Sequence, residues 1–174
     1  MSEQIVSSAE SSPLYSIRHG DIVQDEWQRF TPQADEAPPA EGKWLVPMAY
    51  WLENSASLRT GGAQIGILVA PDDVAEDLED RLEGAAIVAV DFPAFTDGRG
   101  FSLGYLIRNR LGWRGEMRAV GEILIDTVHY LARCGFDSFT LKVGHDAQHA
   151  LRQFKAFTVH YQSQYANPAA GLAA

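Results

Sequence analysis

The sequence predicts an α/β fold: a mainly parallel sheet of four to five strands built from βα units, with helices on both faces and an irregular N-terminal segment. Continuous apolar runs at residues 65–69 and 86–90 are typical of strands that are covered on both faces. Strand and helix patterns then alternate four times with short connections, which favours right-handed βα units. We therefore expect an open sheet between two helix layers, although periodicity alone also permits a partial barrel.

The elements follow one another with regular spacing. A helix is predicted between residue 73 and Gly84, because Asp73 and Glu76 are spaced as a capping box and apolar residues then recur every four positions. A last helix is predicted to begin after Asp146, which caps it, and to include Phe154. The remaining predicted elements are helices at 103–111 and 124–134 and strands at 116–120, 139–143 and 158–161. The leading segment, residues 16–58, gives only short strand signals, at 22–23, 27–30 and 45–46.

Length and composition indicate one α/β domain over residues 16–163, with a disordered tail at 1–15 and a flexible tail at 164–174. The net charge of −9 argues against nucleic acid as a partner. No apolar stretch approaches the roughly 20 residues of a membrane span. The N-terminus does not resemble a signal peptide, and a single cysteine suits a reducing compartment. A cytoplasmic protein is expected.

One loop carries the strongest candidate site. Between a predicted strand and a predicted helix lie Asp97, Gly98, Arg99, Gly100 and Ser102. The glycines allow backbone N–H groups to turn inward, Arg99 adds a forked cation, and Ser102 can cap the next helix. These are the components of a small anion site. The alternative is structural: Asp97 caps its own loop, and Arg99 pairs with Asp97 or with Asp91.

Cations at the ends of two other predicted strands extend this site. Because ligands collect outside the carboxyl ends of parallel strands, Arg118 is expected to meet Arg99 there and to bind a small oxyanion. Lys142 and His145, at the end of the next strand, are secondary candidates.

Other chemistries have weaker support. Neither a phosphate-binding Gly-x-x-x-x-Gly-Lys-Ser/Thr nor a Gly-x-Gly-x-x-Gly motif occurs, so nucleotide binding is disfavoured, and no cofactor is expected. His145 and His149 are spaced as metal ligands, but they lack accompanying cysteines or carboxylates, and no metal site is predicted. Cys134 precedes a helix-ending glycine, where the helix dipole opposes a thiolate, and is interpreted as structural. Aromatic residues of the leading segment are assigned to the core, with a partner surface as the alternative: Trp27, Trp44, Tyr50 and Trp51.

Several blocks in one order resemble the bacterial domain-of-unknown-function family 934. They are the segments 92–102, 115–121 and 133–137, together with Asp126 and the early Asp25-Glu26-Trp27. The resemblance makes Asp126 a further secondary site candidate. Glu122 and Ile125 depart from the family pattern, in which Asp and Arg stand at these positions.

The resemblance also implies a role. Genes of this family lie beside those for sulfite reductase and phosphoadenylylsulfate reductase, which implies an accessory protein of assimilatory sulfate/sulfite reduction. Such a protein would bind a small oxyanion, or one of those reductases, at the carboxyl edge of its sheet. Two alternatives stay open: an oxidoreductase component of sulfite reduction, and a non-catalytic scaffold or homo-oligomer. Whether the chain catalyses a reaction is left undecided.

Overall fold

In the computed structural model of this protein, the residues that the structure describes form a single β-sheet of eight strands. The structure describes residues 15–18, 20–33, 36–141 and 147–154. The predicted strand at 158–161, the tail at 164–174 and nearly all of the tail at 1–15 lie outside these residues. The strands are β1 (Tyr15–Arg18), β2 (Asp21–Gln24), β3 (Trp27–Arg29), β4 (Lys43–Pro47), β5 (Gln64–Val69), β6 (Ile87–Phe92), β7 (Glu116–Gly121) and β8 (Ser138–Thr140).

α-Helices connect β4 to β5, β6 to β7 and β7 to β8, and another α-helix follows β8. The α-helices are α1 (Met48–Leu58), α2 (Arg99–Tyr105), α3 (Val128–Arg133) and α4 (Ala147–Phe154). A π-helical turn, Leu106–Arg110, extends α2, and a 3₁₀ turn, Ile125–Thr127, precedes α3. Gly112, in the left-handed region at φ 70°, follows the α2 extension, as the predicted helix end requires.

The predicted sheet arrangement is wrong. The structure has an eight-stranded mixed sheet curled into a half-barrel, not a mainly parallel sheet of four to five strands with helices on both faces. The strand order is β2-β1-β8-β7-β6-β5-β4-β3; β3 to β8 are parallel neighbours, and β1 and β2 are antiparallel additions. Because the order never reverses between β3 and β8, right-handed crossovers stay on one face. Strand periodicity does not encode this order.

The two ends of the sheet are joined by only two residues. β2 and β3 stand at opposite ends of the strand order, yet only Asp25 and Glu26 separate Gln24 from Trp27. Three peptide units span at most roughly 11 Å. The edges of the sheet therefore approach each other at this point, which requires the sheet to curl.

The two faces of the curled sheet differ in chemistry. One face packs against the helices in the main apolar core, which includes Val46, Val88, Ala119, Trp51, Leu103 and Leu131. On the opposite face, here called the inner face, Leu45, Ile87, Ala89 and Val120 form a smaller apolar cluster. Alternate residues of each strand point to opposite faces, so Arg118 and Thr140 also belong to the inner face.

The helix predicted between residue 73 and Gly84 is also wrong. This segment contains only a 3₁₀ turn, Ala75–Leu78, and Asp73 accepts a hydrogen bond from the Ala70 N–H at 2.6 Å instead of capping a helix. Val74 is exposed, and Asp80 lies in the left-handed region at φ 58°. Ala75 and Leu78 are the buried side chains of the 3₁₀ turn, and they are too few to sustain an α-helix of about three turns against its nucleation cost. By contrast, α1 was not predicted, although Met48 and Trp51 give an i, i+3 apolar pair, and both are buried.

Candidate functional site

The predicted loop holds Arg99 between two carboxylates. The backbone N–H and Nε of Arg99 donate to Asp97 Oδ1 at 3.1 and 3.0 Å, and Nη2 donates to Asp97 Oδ2 at 2.7 Å. Nη1 donates to Asp72, in the loop after β5. The hydrogen bonds from Arg99 lower the pKa of Asp97, and the bond to Asp97 raises the pKa of Arg99. The structural alternative, an Asp97–Arg99 pair, is therefore present, whereas Asp91 pairs elsewhere.

The other residues of the loop have distinct positions. α2 begins at Arg99, so Ser102 lies inside the helix and is not its cap. A Cβ on Gly100 would clash with the Phe92 ring, which makes this glycine a packing contact between α2 and β6. Gly98, by contrast, has open space around it.

Arg118 lies in a buried polar network on the inner face. Its side chain donates to Asp25 Oδ1 at 2.6 Å, to Glu116 Oε1 at 2.7 and 3.1 Å and to Ser138 Oγ at 3.1 Å. Arg18 adds a second cation, with Nε 3.1 Å from Glu116 Oε2. Because Arg118 is only 3% exposed, its charge is balanced by Asp25 and Glu116 and not by solvent.

The partners of Arg99 and Arg118 do not overlap. Arg99 bonds to Asp97 and Asp72 in loops that follow β6 and β5, whereas Arg118 bonds to residues of the inner face. A joint anion site for these two residues stays a prediction. Asp126 is exposed in the 3₁₀ turn before α3, and Lys142 and His145 lie outside the described residues.

A cavity of about 630 Å³ opens at the carboxyl ends of β7 and β8, opposite β3. In α/β barrels, active sites lie at this end of the strands. The residues that line the cavity are Asp25, Trp27, Gln28, Arg29, Leu45, Val120, Gly121, Glu122, Thr140 and Leu141. We take this cavity, here called the mouth cavity, as the candidate functional site.

Asp25 forms a fixed part of the mouth cavity. Its Oδ2 accepts a 2.7 Å hydrogen bond from the Thr140 hydroxyl, and its Oδ1 accepts the Trp27 N–H at 3.1 Å as well as Arg118. Four lone-pair positions are available on a carboxylate, and three donors already use this one. Arg118 therefore acts on the cavity through Asp25, which it holds in place.

Arg29 supplies a cation at the cavity. Its Nη2 lies 2.6 Å from Asp91 Oδ1 and its Nη1 lies 3.2 Å from Oδ2, in a two-bond fork. The Arg29 side chain is 48% exposed, so it remains accessible from solvent. Gly121 has φ 98°, and a Cβ there would come within 2.8 Å of Asp91 Oδ1 and closer still to the Phe92 carbonyl. This glycine leaves room for Asp91 to hold Arg29.

A family model described as "bacterial protein of unknown function (DUF934)" matches residues 66–171. The chain belongs to this family. The predicted resemblance is thus confirmed, while the link to sulfite reduction is no part of the match. Neither the curated proteins nor the solved structures contain a match to this chain.

The DUF934 match covers only one wall of the mouth cavity. It includes the β7 and β8 residues, but Asp25, Trp27, Arg29 and Leu45 precede it. Sequence reasoning did not propose Arg29 as a site residue. The signal was a short strand in which Trp27 and Arg29 alternate with Gln28, placing both side chains on one face.

Metal binding and thiolate chemistry have little support at the described residues. These residues contain no group of three His, Cys, Asp or Glu residues that could hold a metal ion. Burial raises the pKa of the Cys134 thiol, which disfavours the nucleophilic thiolate. None of the helices in the described part of the DUF934 chain is long and apolar enough to cross a membrane.

Proposed function

We propose that this DUF934 protein is an accessory protein of assimilatory sulfite reduction that binds a small anion in the mouth cavity, at the carboxyl edge of its sheet. The sulfite-reduction context rests on the family resemblance. The anion-binding role rests mainly on one observation: Arg29, half exposed, is the only Arg, Lys or His among the described residues that line the cavity.

The Arg29–Asp91 pair leaves binding capacity for a ligand. A guanidinium has five N–H donors, and the two contacts with Asp91 use two of them. Asp91 accepts from the Nη1–Nη2 edge of Arg29, so the Nε–Nη2 edge can donate two N–H groups to a ligand. Planar, bidentate recognition of an oxyanion suits such an arginine.

Arg118 has a positioning role in this proposal. It is bonded to Asp25, and Asp25 in turn bonds Thr140, so that two cavity residues depend on it. Arg99 is the first residue of α2, in the segment that follows β6, and its part in anion binding stays a separate prediction.

Calorimetric titration with sulfite tests the proposal. We expect binding by the wild-type protein and by Arg110→Ala, and its loss in Arg29→Ala. Arg110 is the matched control, because it is an exposed arginine with one carboxylate partner, Glu76 at 3.2 Å, and it does not line the cavity.

Arg99→Ala is the third variant in this titration. Binding that survives Arg29→Ala but disappears in Arg99→Ala would transfer the site to the loop at 97–102. A wild-type protein that binds no anion would refute the proposed function.

A further inference from the structure

We infer that the preferred ligand of the mouth cavity is a small organic anion with an apolar body, such as an organic sulfonate or carboxylate, which binds more tightly than a bare inorganic sulfur oxyanion. The inference rests on the proposed function, because it names the class of ligand that the same site accepts.

The size of the cavity supports an organic ligand. Pockets of about 300–1,000 Å³ are typical of sites for small organic molecules, and the mouth cavity, at about 630 Å³, lies in this range. A sulfite ion has four heavy atoms and takes up on the order of 100 Å³ if each atom is counted as one water molecule. It would leave most of the cavity to solvent and contact few of its walls.

The walls of the cavity combine one cation, Arg29, and two carboxylates, Asp25 and Glu122, with a set of apolar side chains. The charge of Asp25 is balanced by Arg118, 2.6 Å away. Trp27, Leu45, Val120 and Leu141 line it together with Arg29. Apolar walls add nothing to the binding of an inorganic anion, whereas they contribute to binding of a hydrocarbon group by removing it from water. A ligand that uses both kinds of wall has a charged end and an apolar end.

The exposed fractions of the cavity residues indicate how such a ligand would be oriented. Leu45 and Val120 are 3% and 5% exposed, whereas the Arg29 side chain is 48% exposed. The anionic group would therefore lie at Arg29 toward solvent, with the apolar body directed toward Leu45 and Val120. Gly66 supports this wall, because a Cβ there would clash with Leu45 and Ile87 and press on Trp27.

A series of linear alkanesulfonates tests the inference, because the head group stays constant while the apolar body grows. Titration of the full chain with sulfite, methanesulfonate, butanesulfonate and hexanesulfonate is expected to show affinity that rises about fourfold per buried CH₂ group. The rise should end when the cavity is filled. In Arg29→Ala every sulfonate should bind more weakly, and Arg110→Ala should match the wild type.

The outcomes separate this inference from the proposed function. Sulfite that binds as tightly as hexanesulfonate would overturn the organic ligand and leave the proposed function intact. No binding by any of the anions would overturn both. Affinity that rises with chain length but does not change in Arg29→Ala would indicate adsorption outside the site and would also overturn the inference. Val120→Phe, which fills the cavity, should end the rise at a shorter chain, and the wild-type series decides the matter if that variant does not fold.

Discussion

At the scale of single residues, the sequence identified Arg99 with its partner Asp97, but it identified neither the partners of Arg118 nor Arg29 as a site residue. Arg99 and Arg118 were both predicted at the carboxyl edge of the sheet, and each is held by carboxylates. Asp25 precedes Arg118 by 93 positions. Only the curl of the sheet brings such distant residues into contact, and a single sequence contains no direct signal of it.

Replacement of Arg118 tests the buried network. In Arg118→Met, Asp25 and Glu116 would keep their buried charges without the cation that balances them. We expect a loss of about 3–5 kcal/mol in the free energy of unfolding, measured by urea denaturation. Arg110→Met, on the surface, should change it by less than about 0.5 kcal/mol. Equal effects of the two substitutions would mean that the network contributes no stability.

The pH dependence of stability tests the same network through Glu116. Burial alone would raise the pKa of Glu116, but Arg118, Ser138 and Arg18 together hold it below the ordinary 4.5. A depressed pKa in the folded state gives stability that is complete above the unfolded pKa and is lost as pH falls through the folded pKa. We therefore expect the free energy of unfolding to fall as pH decreases below about 4.5. Glu116→Gln should fall less steeply, and parallel curves for the two proteins would contradict this account.

At the scale of elements, continuous apolar runs were sufficient to predict the buried strands. The sequence patterns did not give the correct positions of all the helices. The predicted strands at 65–69, 86–90 and 116–120 correspond to β5, β6 and β7. The helix predicted after residue 73 failed because the spacing of apolar residues does not reveal that Val74 is exposed and that Asp80 takes a left-handed backbone conformation. Ser102 was interpreted as a cap because the predicted helix began at residue 103, but α2 already begins at Arg99.

The two glycines beside Arg99 allow a matched test of how α2 packs. A Cβ on Gly100 would meet the Phe92 ring, whereas a Cβ on Gly98 would meet nothing within 4 Å. We expect Gly100→Ala to lower the free energy of unfolding by about 1–3 kcal/mol through overpacking. Gly98→Ala should change it by less than about 0.5 kcal/mol. Thermal denaturation compares the two, and a tolerated Gly100→Ala would show that α2 can shift away from β6.

At the scale of the whole molecule, the decisive feature is the order of the strands. The run from β3 to β8 without reversal keeps the crossovers on one face and leaves the inner face for polar residues and a cavity. The two residues between β2 and β3 then bring Arg29 and Trp27 opposite Val120 and Thr140. The sequence predicted that a ligand would lie at the carboxyl ends of the strands. It could not predict that the leading segment would form half of the walls.

The central claim is that Arg29 binds an anion in the mouth cavity, and the position of a bound anion tests it most directly. A ¹H–¹⁵N NMR titration of the full chain with butanesulfonate reports it residue by residue. We expect the backbone signals of Val120, Gly121 and Thr140 and the indole signal of Trp27 to shift together, and to shift much less in Arg29→Ala at the same butanesulfonate concentration. Shifts confined to the loop at 97–102, or no shifts at all, would contradict the central claim.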